Sequence, residues 1–202
     1  MDVRLFLEYL PWLKKPNYFY TSKLGISEWK QSDVQDAIAR GERDFTLHKK
    51  VSQVDLRSAP NSLQILYAQY DLKNLHLLWT SFWSEPKQLE QGWGFAEMSE
   101  VNLVVAPSEQ IEAYAAHPIR GMPGATDCLG VLAKDLESYL EAMLYGQFNA
   151  THFISGFPDE DPILYEKTVL VAKHCALIAG GYEYYDFWAG LLGLPPKEKV
   201  PE

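Results

Sequence analysis

Cys128 is the cysteine of this chain placed where a nucleophile could work, after a glycine-rich stretch and before a short apolar run. A catalytic thiol needs a histidine base and positive surroundings that hold the thiolate. Asp127 is its neighbour and the wider region is acidic, which disfavours that thiolate. Cys128 and Cys175 form no CxxC pair, and both read as buried thiols of a reducing cytosol. The histidines His48, His76, His117, His152 and His174 give no i, i+3 or i, i+4 pairing with each other or with a cysteine, so no metal site is expected. No Gly-x-Ser-x-Gly elbow is present. Gly121-Met122-Pro123-Gly124 is too short for a phosphate cradle, and Pro123 lacks the amide a phosphate would use. Glu137 and Glu141 are paired carboxylates at i, i+4, opposite an apolar stripe, which is the ordinary solvated face of a helix. Asp161 before Pro162 is a helix cap. Asp159 and Glu160 keep no such structural task, and they lie near Tyr165. No catalytic residue and no cofactor are expected from these patterns.

The densest chemical feature is Tyr182-Glu183-Tyr184-Tyr185-Asp186-Phe187-Trp188, with five aromatics and two acids in seven residues. One short helix cannot turn all five rings inward. The surplus, read as Tyr184 with Glu183 and Asp186, belongs at the surface. Exposed aromatics beside carboxylates are how an interface that receives Lys or Arg is built. A partner-binding surface is therefore expected from Asp159, Glu160, Tyr165, Glu183, Tyr184, Asp186 and Trp188.

Charge points the same way. The net charge is −9, and residues 1–60 hold ten Lys/Arg against eight Asp/Glu, while residues 61–202 hold eight against nineteen. The acidic two-thirds argues against nucleic-acid binding, which needs cations for phosphates. No apolar stretch reaches the length of a membrane span.

The elements that must position these residues are legible in part. The densest apolar run, residues 62–83, reads as a β-hairpin with arms Leu63–Tyr70 and Leu75–Trp83. Phe45–Leu56 reads as a strand, Ser84–Gly94 as a loop whose Trp93 packs on the core, and Val101–Ala106 as the best single strand. Helices are expected over Asp2–Lys14, around Val34–Ile38, from Pro107 to Tyr114 or His117, over Lys134–Tyr145 with Gly146 as its stop, over Asp161–Ala179, and over Tyr184–Leu192. Ile119–Asp127 is a loop by composition and Leu129–Leu132 a strand. The strand-then-helix unit Leu129–Tyr145 resembles the closing unit of some small bacterial immunity proteins.

The order helices, strands, helices predicts an α+β domain over residues 1–194, followed by a charged, Pro-rich tail over 195–202. Its centre would be an antiparallel sheet of about four or five strands built on the 62–83 hairpin. The function expected is a non-enzymatic cytoplasmic binding protein of bacterial type, immunity- or antitoxin-like, that neutralises a basic protein partner such as a toxin. The alternative is a small-ligand binder or enzyme with an aromatic pocket formed by His76, Trp79, Trp83, Trp93 and His117. A third option is a homodimer in which a second copy covers the hairpin's apolar face.

Overall fold

A computed structural model describes residues 1–10, 47–50, 55–116, 128–152 and 161–195. Helix α1 spans Val3–Tyr9, with Asp2 accepting from the Arg4 amide as its cap. Strand β1 (His48–Lys49) pairs with β2 (Tyr70–Asp71), and the short helix α2 (Asn61–Leu66) lies between them in sequence. A six-stranded antiparallel meander follows, each strand pairing with the next: β3 (His76–Leu77), β4 (Thr80–Gln88), β5 (Trp93–Met98), β6 (Val101–Val105), β7 (Ile111–Ala115) and β8 (Cys128–Ala133). Helices α3 (Leu136–His152), α4 (Pro162–Ala179) and α5 (Tyr185–Leu191) complete the chain, with a 3-10 turn at Tyr182–Tyr184 leading into α5. The α+β class, the antiparallel sheet and helices at both ends of the chain are thus as the sequence predicts.

The sheet has one apolar and one polar face. Cross-strand partners share a face, so the row Phe82–Ala96–Leu103–Ala113 is continuous through four strands, and all four residues are buried. On the other face the row His76–Ser81–Glu97–Asn102–Tyr114–Cys128 crosses all six strands. Helices cover the apolar face, and a chain of rings ties the layers together. Centroid separations are 6.4 Å for Phe6–Phe82, 6.1 Å for Phe82–Phe95, 6.0 Å for Phe95–Tyr139 and 5.8 Å for Tyr139–Trp188. These spacings are those of attractive tilted and edge-to-face ring pairs. The Tyr139 hydroxyl is satisfied by Thr80 Oγ1 at 3.1 Å, and Tyr67 donates to the Phe95 carbonyl at 2.7 Å.

The first arm of the expected hairpin is not a strand. Leu63, Leu66 and Tyr67 are buried at helical spacing, and α2 packs against α1, so packing overrides the β preference of Ile65 and Tyr67. The hairpin lies one element later, where β3 and β4 are joined through Leu78 and Trp79, with Leu78 at φ 51°. No Gly or Asn marks that turn. It is held from α3 instead: Gln147 Oε1 accepts from the Leu78 amide at 2.6 Å, and a Cβ at Gly146 would come within 3.2 Å of the Leu78 side chain. Gly146 is therefore a place of close approach inside α3 and not its stop. Residues expected as a loop, 84–94, supply the end of β4 and the start of β5, with a register shift across Trp83–Pro86. The helix expected after Pro107 is strand β7. Glu109 at φ 70° closes a turn, and Ile111, Ala113 and Ala115 then point inward with period two. The sheet accordingly has six strands, above the four or five expected. The expected strand at 45–56 is described at His48–Lys49; residues 45–46, 51–54 and the helix expected around Val34–Ile38 lie outside the described residues.

Replacing Trp188 with Ala should cost about 3–5 kcal/mol in chemical denaturation, the usual cost of emptying a large aromatic site. Trp188→Phe should cost clearly less. The Trp188 Nε1 proton is buried and has no hydrogen-bond partner among the described residues, so the smaller ring gives up volume alone.

Candidate functional site

The carboxyl end of α4 turns sharply. Gly180 adopts φ 135°, and its amide and that of Gly181 both donate to the Ala176 carbonyl, at 3.1 and 3.0 Å. The chain doubles back along α4, and helical spacing then sorts the aromatic run. Tyr184 and Trp188, four residues apart, point into the core. Tyr182 is 61% exposed, and Glu183 and Asp186 are exposed beside it. Tyr185 and Phe187 are half-buried at the margin.

Tyr165 joins this surface from the first turns of α4. Asp161 starts that helix as expected, with its Oδ1 accepting from the Ile163 amide at 2.9 Å and the Leu164 amide at 3.3 Å. Tyr165 is 41% exposed. Burial, then the neighbouring Tyr165 and Asp186, push the Tyr185 phenol above its ordinary value. Tyr185 is thus within electrostatic reach of Tyr165 and of Asp186. Of the residues expected to bind a partner, Tyr165, Glu183 and Asp186 are therefore on the surface. Tyr184 and Trp188 are core residues, and this corrects the expectation for both. Tyr182, which the sequence reading left out of the expected surface, is an exposed ring. Counting back four residues from Trp188 would have found the inward tyrosine. Asp159 and Glu160 lie outside the described residues.

The aromatic-pocket residues are dispersed along the first strands of the sheet. Trp79 projects into solvent from the β3–β4 turn. Trp83 lies against Gly94, donates from Nε1 to Glu97 at 3.3 Å, and has the Lys87 ammonium 5.3 Å from its ring centre. Trp93 is half-buried and packs on the core, as expected. His117 lies outside the described residues. His76 Nδ1 sits 2.8 Å from Ser81 Oγ, a distance at which a base can take a hydroxyl proton. A working dyad also needs a group that orients the imidazole from its far side. Glu97 stands across the strand from Ser81, not from His76, and His76 has no other hydrogen-bond partner among the described residues. A cleft of about 480 Å³ opens elsewhere, lined by Lys50, Asp55, Arg57, Gln64 and Tyr67 among others. Its cations are engaged: Lys50 reaches the Tyr67 carbonyl at 3.5 Å, and Arg57 pairs with Asp55 at 2.6 Å.

Among the described residues no cluster of three or more His, Cys, Asp or Glu side chains is placed to hold a metal ion, and no helix is long and apolar enough to cross a membrane. Cys175 is buried, its Sγ donating to the Ala142 carbonyl at 3.5 Å. Cys128, expected to be buried, is exposed at the start of β8. Comparison with protein-family models, curated proteins and solved structures gives no match.

A thiol reagent should label Cys128 in the native protein and reach Cys175 only on unfolding. Burial also raises the Cys175 thiol from its ordinary 9.0 to about 12, and the Tyr67 and Tyr139 phenols are held above their ordinary 10.0 by burial first. An unfolded chain releases these protons at the ordinary values while the folded chain keeps them. Their contribution to stability is thus complete below pH 9.0 and is lost as the pH rises towards 12. Urea midpoints measured across that range should fall steadily from its lower end.

Proposed function

We propose that this chain is a binding protein that captures a basic segment of another protein on the surface formed by Tyr165, Tyr182, Glu183, Tyr185 and Asp186. The observation that carries this reading is the exposure of Tyr182 together with Glu183 and Asp186 in one short segment, with Tyr165 exposed on α4. Rigid aromatic rings give contact area at small entropic cost, and the carboxylates accept Lys or Arg. The acidic balance after residue 60 adds long-range steering of a cationic partner. A neutraliser of a basic toxin, in the manner of an immunity protein, works by this physics alone and needs no chemistry of its own. Such a role is the form of the reading we favour, with the cytosol as its place of action.

The test pairs an affinity pull-down from native cells at low and high salt with isothermal titration of the retained partner. A single basic partner is expected, bound more tightly at low salt. The double variant Glu183→Lys, Asp186→Lys should weaken it at least about tenfold, mainly through the association rate. Tyr182→Ala should weaken it through the dissociation rate. Binding that is indifferent to both salt and these substitutions would sink the proposal.

A further inference from the structure

Helix α4 buries Leu164, Thr168, Val171, Ala172, Cys175, Ala176 and Ala179, yet its opposite side is not wholly polar. Ile163, Leu170 and Leu177 recur there every seven residues and are 66%, 61% and 46% exposed. On a helix of about 100° per residue, a seven-residue step drifts by about 20°, so the three side chains form one nearly straight stripe about 21 Å long. A surface helix ordinarily carries its charged residues on that side. Here the exposed charged residues and His174 flank the stripe, with Glu166 and Lys173 on one side and Lys167 and His174 on the other. Neither Glu166 nor Lys173 has an ion-pair partner among the described residues.

We infer that a second copy of this chain covers the stripe, with the two α4 helices antiparallel about a two-fold axis at Leu170. The register follows from the sequence. Placing Leu170 on Leu170 sets Ile163 against Leu177 of the second copy at both ends. In an antiparallel pair related this way, each flank meets the same flank of the other copy. Glu166 then stands within one residue's rise of Lys173 of the second copy, and the symmetry makes that opposite-charge pair twice. On the other flank Lys167 stands opposite His174, whose Nδ1 already meets the Tyr145 hydroxyl at 3.1 Å. A parallel two-fold would set each flank against the opposite one and pair Glu166 with Lys167, so exchange of the Glu166 and Lys173 charges is what tells the two arrangements apart. Seven-residue spacing gives the shallow left-handed crossing at which such helices pack. The contact is a single helix pair, at the small end of stable interfaces, so the dimer should form in the micromolar range.

Tyr165 lies about 140° around α4 from Leu170, outside the contact. The dimer and the acidic aromatic surface are therefore independent, and Glu183→Lys with Asp186→Lys should leave the mass unchanged. The measurement is light-scattering mass across about 1 to 300 µM full-length protein, a span that brackets a small interface. A rise to twice the monomer mass is expected. Leu170→Glu places two carboxylates on the axis and should hold the protein monomeric with an unchanged circular-dichroism spectrum, because Leu170 is exposed in the single chain. Glu166→Lys should weaken the dimer at least tenfold, and adding Lys173→Glu should restore it. A monomer throughout the range, or a dimer that withstands both Leu170→Glu and Glu166→Lys, overturns the proposal.

Discussion

Five rings from five elements hold this molecule together. Phe6 of α1, Phe82 of β4, Phe95 of β5, Tyr139 of α3 and Trp188 of α5 touch in succession. Each is almost fully buried, so the sheet, the amino-terminal helix and the carboxy-terminal helices share one core. The demand for close packing at its far end outweighs a hydrogen bond, since the Trp188 indole proton is left without a partner among the described residues. It also shapes the surface. With Trp188 fixed inward, Tyr184 must follow four residues earlier, and Tyr182, Glu183 and Asp186 are turned to solvent. The acidic aromatic surface is thus the geometric complement of a core requirement.

The sequence was legible where a local rule and the packing agree. Asp161-Pro162 starts α4, Val101–Val105 is a β-branched strand, and Leu136, Leu140, Met143 and Leu144 line α3. It misled where long-range contact decides. Leu63–Tyr67 fits either period, and its packing against α1 and α3 makes it a helix. Leu78 takes a left-handed conformation that its residue type does not advertise, because Gln147 and Gly146, nearly seventy residues away, hold the turn. At the candidate surface the segment and its exposed acids were found, but Tyr184 and Trp188, expected outward, face the core, and the exposed Tyr182 was left out. Composition shows that five aromatics cannot all be buried; which of them are depends on the one that reaches Tyr139.

The molecule presents two differently built faces on one helix. One end of α4 carries the exposed Tyr165, within electrostatic reach of Tyr185, while its outer side carries the aliphatic stripe of Ile163, Leu170 and Leu177. Charge is also partitioned along the chain. The cleft cations Lys50 and Arg57 belong to the basic first sixty residues, and the exposed acids of the last turns belong to the acidic remainder.

The meander has a consequence for how the chain is made. Each strand from β4 to β8 pairs with the strand immediately before it, across turns as short as Leu78-Trp79 and Ser99-Glu100. As a ribosome delivers the chain, every new strand finds its template already formed and nearby in sequence, so the sheet zips at low cost in loop entropy. Its apolar face has α1 as early cover, through Phe6 on Phe82, but the helices that complete it come later. Tyr139 emerges only after the last strand and Trp188 later still, so Phe95 of the nascent sheet lacks its cover until then. Such an interval, with hydrophobic surface formed before its carboxy-terminal helices exist, is one in which chaperone binding competes with aggregation.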